Sequence, residues 1–259
     1  MLGRTVTGLA LAGGIVLAAR GTRSLTGGGA IAALAVGTIC IAAGWAWGIL
    51  LIAFFVASTG LSRWRASAKA RCTEGILEKG GERDAVQVLA NGGIFAACAT
   101  MSLIASWEGW LVIGAGAIAA ATADTWGTEI GALSASPPRS ILTGRPVPPG
   151  TSGGVTVLGT AASVAGAAFI AVAAWLVGWP EAAVAGAVAG GIAGSTADSL
   201  LGASLQARRW CPACRAGTER AVHPCGTPTR PAGGLSWLDN DAVNALAGVA
   251  GALVAGIFA

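Results

Sequence analysis

The chain has 259 residues, of which 54% are hydrophobic and only 11% charged, and its mean hydropathy is +0.69. Soluble domains carry roughly 25% charged residues, so a water-soluble globule of this size could not cover itself; the composition describes an integral membrane protein. The long Ala/Leu/Ile/Val/Gly runs lack the alternation of a transmembrane barrel, and 41 glycines with no Tyr point to helices packed through small side chains.

A crossing takes about 20 apolar residues, and eight apolar segments follow one another: 6–19, 29–43, 45–61, 85–106, 110–130, 154–177, 182–205 and 242–258. The expected fold is therefore all-α, a single transmembrane domain over 1–259 with about eight membrane helices. The first two segments are short and interrupted by glycine, which leaves a tilted or re-entrant path open for either. Residues 5–19 also read as a signal-peptide core. Only Arg4 precedes them, and Arg20 follows with no good cleavage site, so a retained helix is expected.

Eight crossings place four loops on one side: 20–28, 62–84, 131–153 and 206–241. They hold Arg20, Arg23, Arg63, Arg65, Lys69, Arg71, Lys79, Arg83, Arg139, Arg145, Arg208, Arg209, Arg215, Arg220 and Arg230, leaving Arg4 alone among the 16 Lys and Arg on the other side. The positive-inside rule makes this the cytoplasmic side and puts both termini outside. Trp45, Trp47, Trp107, Trp110, Trp175 and Trp179 fall at the opposite ends of the segments, where an interfacial aromatic belt is expected. The net charge of +4 and pI near 9.0 thus reflect topology, and no nucleic-acid partner is expected.

Three acids lie within apolar stretches: Asp124 and Glu129 in AATADTWGTEIG, and Asp198 in GSTADSLLGASLQ. A charged carboxylate in the bilayer is costly, so such groups face a cavity, a partner or a metal. Glu129 is close enough to a helix end to be wetted there. Asp124 and Asp198 are about two turns inside, and they are the leading candidates for catalysis and metal binding.

Local patterns recur. Thr122-Ala123-Asp124-Thr125 echoes Thr196-Ala197-Asp198-Ser199, and Asp84-Ala85-Val86-Gln87-Val88-Leu89-Ala90 echoes Asp241-Ala242-Val243-Asn244-Ala245-Leu246-Ala247. Asp84 and Asp241 start helices, where N-capping alone would account for them. Gln87 and Asn91 share a helix face near Asp84, as Asn244 does with Asp241. These oxygen donors are candidate ligands, directly or through water, for a hard cation such as Mg2+.

The stretch PPRSILTGRPVPPGTSGGVTVLGT (137–160) sets Arg139 and Arg145 before Gly150-Thr151-Ser152-Gly153-Gly154, read as the opening of a helix. Backbone N–H groups in such a turn suit phosphate oxygens. No Gly-Lys-Ser/Thr follows, so it is not a Walker A loop. The glycines at 27–29, beside Arg23, form either a second such nest or a simple turn. Finally, Cys211, Cys214, His223 and Cys225 place three thiols and the chain's one histidine within 15 residues. They can close a structural Cys3His zinc knuckle or remain free thiols. Cys40 and Cys98 read as packing residues.

With RDAVQVLANGG, ADTWGTEIG, PPGTSGG, ADSLLGASLQ and LDNDAVN in this order over about 23–250, the chain resembles the integral-membrane family that includes the plant phytyl-phosphate kinase of tocopherol synthesis together with bacterial, archaeal and animal relatives. The resemblance implies a prenyl-monophosphate kinase that makes a prenyl diphosphate from a nucleoside triphosphate, with CTP as a donor. It points to Asp84, Gln87, Asn91, Asp124, Glu129, Asp198, Gln206, Asp241 and Asn244. The expected partners are thus the nucleotide, the prenyl phosphate and membrane lipid; oligomeric state is left open. The competing reading is a cation-coupled secondary transporter, since repeated motifs, Gly-broken helices and intramembrane acids are also transporter features.

Overall fold

A computed structural model of the chain describes residues 2–73, 76 and 81–259; Lys79, placed above in the 62–84 loop, lies outside the described residues. Each of the eight expected segments is a helix: α1 (Leu2–Gly21), α2 (Gly27–Ala43), α3 (Trp45–Arg63), α5 (Ala85–Ile104), α6 (Gly109–Gly131), α7 (Val157–Leu176), α8 (Glu181–Ser204) and α9 (Asn240–Ala255). A short helix, α4 (Ala66–Thr73), follows α3. Among the described helices α3, α5, α7, α8 and α9, the last with the 3-10 turn that ends it, are long and apolar enough to cross a bilayer. At 1.5 Å per residue α1 extends about 30 Å. It runs unbroken and packs along α2, and neither of the two is among the described helices long and apolar enough to cross.

The all-α expectation holds for the membrane part, but the loops carry two small sheets. One pairs β1 (Arg139–Ser140) with β2 (Gly154–Val155); the other has the order β4-β3-β5, from β3 (Arg208–Cys211), β4 (Ala216–Thr218) and β5 (Arg230–Gly233). Strands of two to four residues leave no periodic signal in a sequence.

α6 is the central helix. Its residues from Gly114 to Ala123 are buried without a break. Helices in lipid gain little from the hydrophobic effect and associate by close packing, which requires small residues where α6, α8 and α9 meet. A methyl group on Gly190 of α8 would sit 2.5 Å from the Gly251 carbonyl oxygen of α9 and 2.7 Å from Gly116 Cα of α6. One turn on, a methyl on Gly194 would collide with the Ala120 methyl and lie 2.8 Å from the Ala247 carbonyl. The three backbones therefore touch in layers, and every step of four residues descends one turn toward the basic loops.

The apolar core lies nearer the opposite face, where Trp47, Phe95 and Trp179 stack with ring centroids 4.8 to 6.4 Å apart. Here the structure departs from the expected belt. Trp45, Trp107 and Trp175 are exposed, but Trp47 and Trp179 are buried and belong to the core. Their depth along the helices matches the belt; their direction around the helices does not.

At the basic end the α1–α2 turn is stitched to the start of α5. Thr26 N donates to Arg83 O at 3.0 Å and Arg83 N to Ser24 O at 2.9 Å. Gly29 leaves room for this crossing, since a side chain there would strike the Arg83 carbonyl. The glycines at 27–29 therefore serve a chain crossing, and Thr26 caps α2 by accepting from Gly29 N. Arg63 adds a bond to Ser24 Oγ at 2.7 Å, and Arg20 one to Leu25 O at 2.7 Å.

Candidate functional site

The stacked glycines set the depth of the acids. Gly190 lies beside Gly116 and Gly251, and Gly194 beside Ala120 and Ala247; the next turn holds Asp198, Asp124 and Val243. Asp124 and Asp198 meet there, their carboxyl groups within hydrogen-bonding reach of each other. Asp198 Oδ2 is buried, and no donor among the described residues reaches it. Two carboxyls in contact, one with an oxygen that no donor among the described residues reaches, either share a proton or hold a cation.

Asp241 is two residues from this layer, about 3 Å along the axis, and is only 3% exposed. It does not cap α9: Asp239 does so, accepting from Ala242 N at 2.9 Å. Capping therefore does not explain Asp241. Asp84 differs, because it caps α5 through a full capping box with Gln87. A methyl on Gly248 of α9 would lie 4.0 Å from the Ala90 carbonyl of α5. The two echoing segments thus run side by side, and Asp84 and Asp241 share a depth to within about one turn. Asn244 is half-buried on α9.

A groove opens beside this layer. It is lined by apolar residues of α1, α2 and α3, among them Val16, Val36, Ile41, Leu51 and Phe55, and its polar end is formed by Arg83, Gln87, Asn91 and Thr125. Thr125 follows Asp124 directly on α6, so the polar end of the groove abuts the carboxylate layer. The wall of the groove on α2 runs from Ala33 to Ile41, about 12 Å along the helix. Asn91 Nδ2 donates to Gln87 O at 2.9 Å, which leaves its carbonyl oxygen for the groove. Arg83 is half-buried, stacks 5.8 Å from the Phe55 ring centroid and donates to Thr59 Oγ1 at 3.0 Å. Burial pulls its guanidinium below the ordinary value, and the Glu129 carboxylate opposes that shift.

Glu129 is committed elsewhere. It is ion-paired with Lys69, which also donates to Leu61 O at 2.6 Å and Ser62 O at 3.0 Å, closing the end of α3. Lys69 is 7% exposed. Neither Arg83 nor Lys69 stands out in the sequence, where both pass for orientation charges.

The 131–153 loop is arranged differently from the expectation. The Gly-rich turn does not open a helix; β2 intervenes, and Thr156 caps α7 by accepting from Gly159 N. Gly153, at φ +73°, lies against the end of α8, where a methyl group would be 2.6 Å from Ser199 O. Arg139 donates to Gly144 O at 2.8 Å within the loop, and both Arg139 and Arg145 are exposed. Thr151 is half-buried in the turn. Ser152 points inward and donates to Glu219, to which Gln206 Nε2 also donates at 2.9 Å. Glu219 lies close enough for its charge to act on Asp198. It is a further carboxylate at the site, and no spacing in the sequence marks it.

Glu219 follows β4, in the segment that carries the Cys/His cluster. One ligand atom each from Cys211, Cys214, His223 and Cys225 lies within 4.8 Å of all the others. Hydrogen bonds from Thr227 and His223 hold the Cys225 thiol down to about 6, whereas the neighbouring Cys225 thiol pushes Cys214 up to about 11.

Together, fold and site define a multi-pass helical membrane protein with an acidic centre toward its basic-loop end. The chain belongs to the family described as integral membrane protein DUF92, whose pattern matches residues 10–252. It is 31% identical to Protein PGR of Arabidopsis thaliana over 255 residues, covering 86% of this chain and 84% of that one. It is also 37% identical over 132 residues to an uncharacterized membrane protein of Methanocaldococcus jannaschii, covering 50% of this chain and 52% of the other. No solved structure matches.

Proposed function

We propose that the protein is a prenyl-monophosphate kinase, transferring a phosphoryl group from a nucleoside triphosphate such as CTP to a membrane-bound prenyl phosphate of the phytyl or geranylgeranyl type. The observation that carries this reading is the groove: apolar for most of its length, then Arg83, Gln87, Asn91 and Thr125, then the Asp124–Asp198 layer. A lipid with a long hydrocarbon tail and one anionic head matches that order of surfaces.

In the reaction a phosphate oxygen of the prenyl phosphate attacks the γ-phosphorus, the bond from that phosphorus to the β–γ bridging oxygen breaks, and the nucleoside diphosphate leaves. The nucleophile is already anionic, so no strong base is needed and catalysis is positioning plus charge stabilisation. Arg83 supplies a cation and paired N–H donors to the lipid phosphate, Asn91 and Gln87 orient it, and the apolar walls exclude water from the tail. Ser152, Gln206 and Glu219 order the loop mouth through which a nucleotide enters from the cytoplasm. Asp124 and Asp198, with Glu219 near Asp198, would hold Mg2+, which when bound would neutralise the clustered phosphates; Asp84 and Asp241 lie at a similar depth but do not join that cluster among the described residues.

The carboxylate pair sits about 10 Å from the basic-loop end of α6, itself about 35 Å long. A site off the midplane supports an interfacial enzyme over a transporter, whose site is expected at the midplane. The test is direct: purified protein with labelled CTP or ATP, Mg2+ and phytyl or geranylgeranyl phosphate is expected to form labelled diphosphate. No product with any donor or chain length, together with cation-dependent solute uptake into liposomes, would sink the kinase.

Two substitutions test the groove. Arg83→Ala is expected to raise KM for the prenyl phosphate at least about tenfold, as loss of a charge-assisted hydrogen bond implies, with KM for the nucleotide unchanged and part of the loss recovered by Arg83→Lys. An unchanged lipid KM removes Arg83 from the head-binding role. Leu51→Trp adds bulk toward the far end of the groove. Its rate with geranylgeranyl phosphate is expected to fall about tenfold relative to that with geranyl phosphate; an unaltered preference would show that the tail lies elsewhere.

A further inference from the structure

We propose that Cys211, Cys214, His223 and Cys225 bind one structural zinc ion, and that this ion holds β3 and β4 so that Glu219 is kept against Ser152 and Gln206 beside Asp198. The zinc binding stands independently of the kinase reading; the placement of Glu219 concerns the same site.

The four ligand atoms lie close enough to share one ion, and the two sulfurs of Cys211 and Cys225 have a tetrahedral separation. Zinc–sulfur bonds of about 2.3 Å at tetrahedral angles put neighbouring sulfurs about 3.8 Å apart. Cys211 Sγ and Cys225 Sγ are 3.7 Å apart, and His223 Nδ1 lies 3.1 Å from Cys225 Sγ. A disulfide would need about 2.05 Å, and all six cysteines are free. The backbone is built for the same purpose. The Cys-Pro-Ala-Cys turn brings Cys214 N to 3.5 Å from Cys211 Sγ, so the N–H faces the sulfur that would carry thiolate charge. The second pair sits on a tight turn closed by Gly226 N to His223 O at 2.8 Å and His223 N to Thr227 O at 3.0 Å, with Gly226 at φ +82°.

Without an ion, little apolar surface holds this subdomain. β5 is exposed along its whole length, and of the residues on β3 and β4 only Cys211 and Thr218 are buried. Small domains lacking a core rely on a metal or a disulfide. The subdomain nevertheless has a position to keep. Thr218 Oγ1 donates to Ile76 O at 3.3 Å, Glu219 N to the same oxygen at 2.9 Å, and the Glu219 carboxylate accepts from Ser152 and Gln206. Glu219 lies between two of the ligands, after Cys214 and before His223, so rigidity imposed at the cluster is delivered to the carboxylate.

The first measurement is metal content of the full-length protein purified in detergent without chelators. About one zinc per chain is expected, retained in Cys72→Ser, whose thiol lies outside the cluster, and lost in Cys211→Ser and Cys225→Ser. Zinc content unchanged by either cluster variant, or a Cys211–Cys225 disulfide with no metal in the wild type, overturns the proposal. If the cluster variants do not fold, exchanging the wild-type ion for Co2+ decides: thiolate-to-cobalt charge transfer with tetrahedral d–d bands is expected, and an octahedral spectrum overturns the site. For the second half, chelation is expected to raise amide hydrogen exchange at least about tenfold at Thr218, Glu219 and Gln206. Unchanged exchange there would confine the ion's effect to the knuckle.

Discussion

Asp198→Asn is expected to leave a folded, membrane-inserted protein whose formation of labelled prenyl diphosphate is at least about 100-fold slower, the scale seen when one preorganised charge-stabilising group is lost. The substitution keeps the shape and removes the charge, so its effect isolates electrostatics from packing. Asp198 Oδ2 is buried with no donor among the described residues, and the amide nitrogen placed near Asp124 would donate to it directly. That new hydrogen bond stabilises the fold while displacing a cation. The combination of raised or unchanged thermal stability with lost turnover is therefore the signature. Asp124→Asn is expected to match it. Full activity in either variant would take that residue out of the site, and normal activity in both would end the acidic-centre account.

Gly194→Ala is expected to lower unfolding stability by about 1–3 kcal/mol, the usual cost of overpacking, and to slow turnover in the fraction that folds. Its methyl would meet the Ala120 methyl and lie 2.8 Å from the Ala247 carbonyl, so α6, α8 and α9 must separate one turn from the carboxylates. Gly14→Ala on α1 is the control: a methyl there meets nothing within 4 Å, and stability should hold or rise slightly. Thermal melts of the two variants in one detergent check the contrast. Equal melting temperatures would mean that the three helices do not pack through their backbones.

Much of the architecture was legible because a bilayer imposes a long, simple signal. Each apolar run became a helix, five of those described being long and apolar enough to cross a bilayer, with ends shifted by a few residues, as at α7, which starts at Val157 after β2. The Asp124–Asp198 pairing was legible through their echoing motifs, since two helices running the same way with matching small residues bring matching positions together. What escaped is whatever depends on direction around a helix or on a fold made by a loop. Arg83 and Lys69 turn inward, but their composition is that of any orientation charge. Trp47 faces the core while Trp45, two residues earlier, faces outward. Asp239 took the capping place expected of Asp241, because a start shifted by two residues reassigns the cap. Glu219 reaches the site from just past a strand of three residues that no periodicity announces.

The backbone contacts among α6, α8 and α9 have a consequence for traffic. Those helices leave no space between them one turn above the paired aspartates, whereas the apolar groove runs past α1, α2 and α3 to Thr125, the neighbour of Asp124, and on the proposed reading the nucleotide comes from the end that carries Ser152 and Glu219. A greasy molecule and a water-borne one would therefore approach along perpendicular routes and never compete for the same doorway.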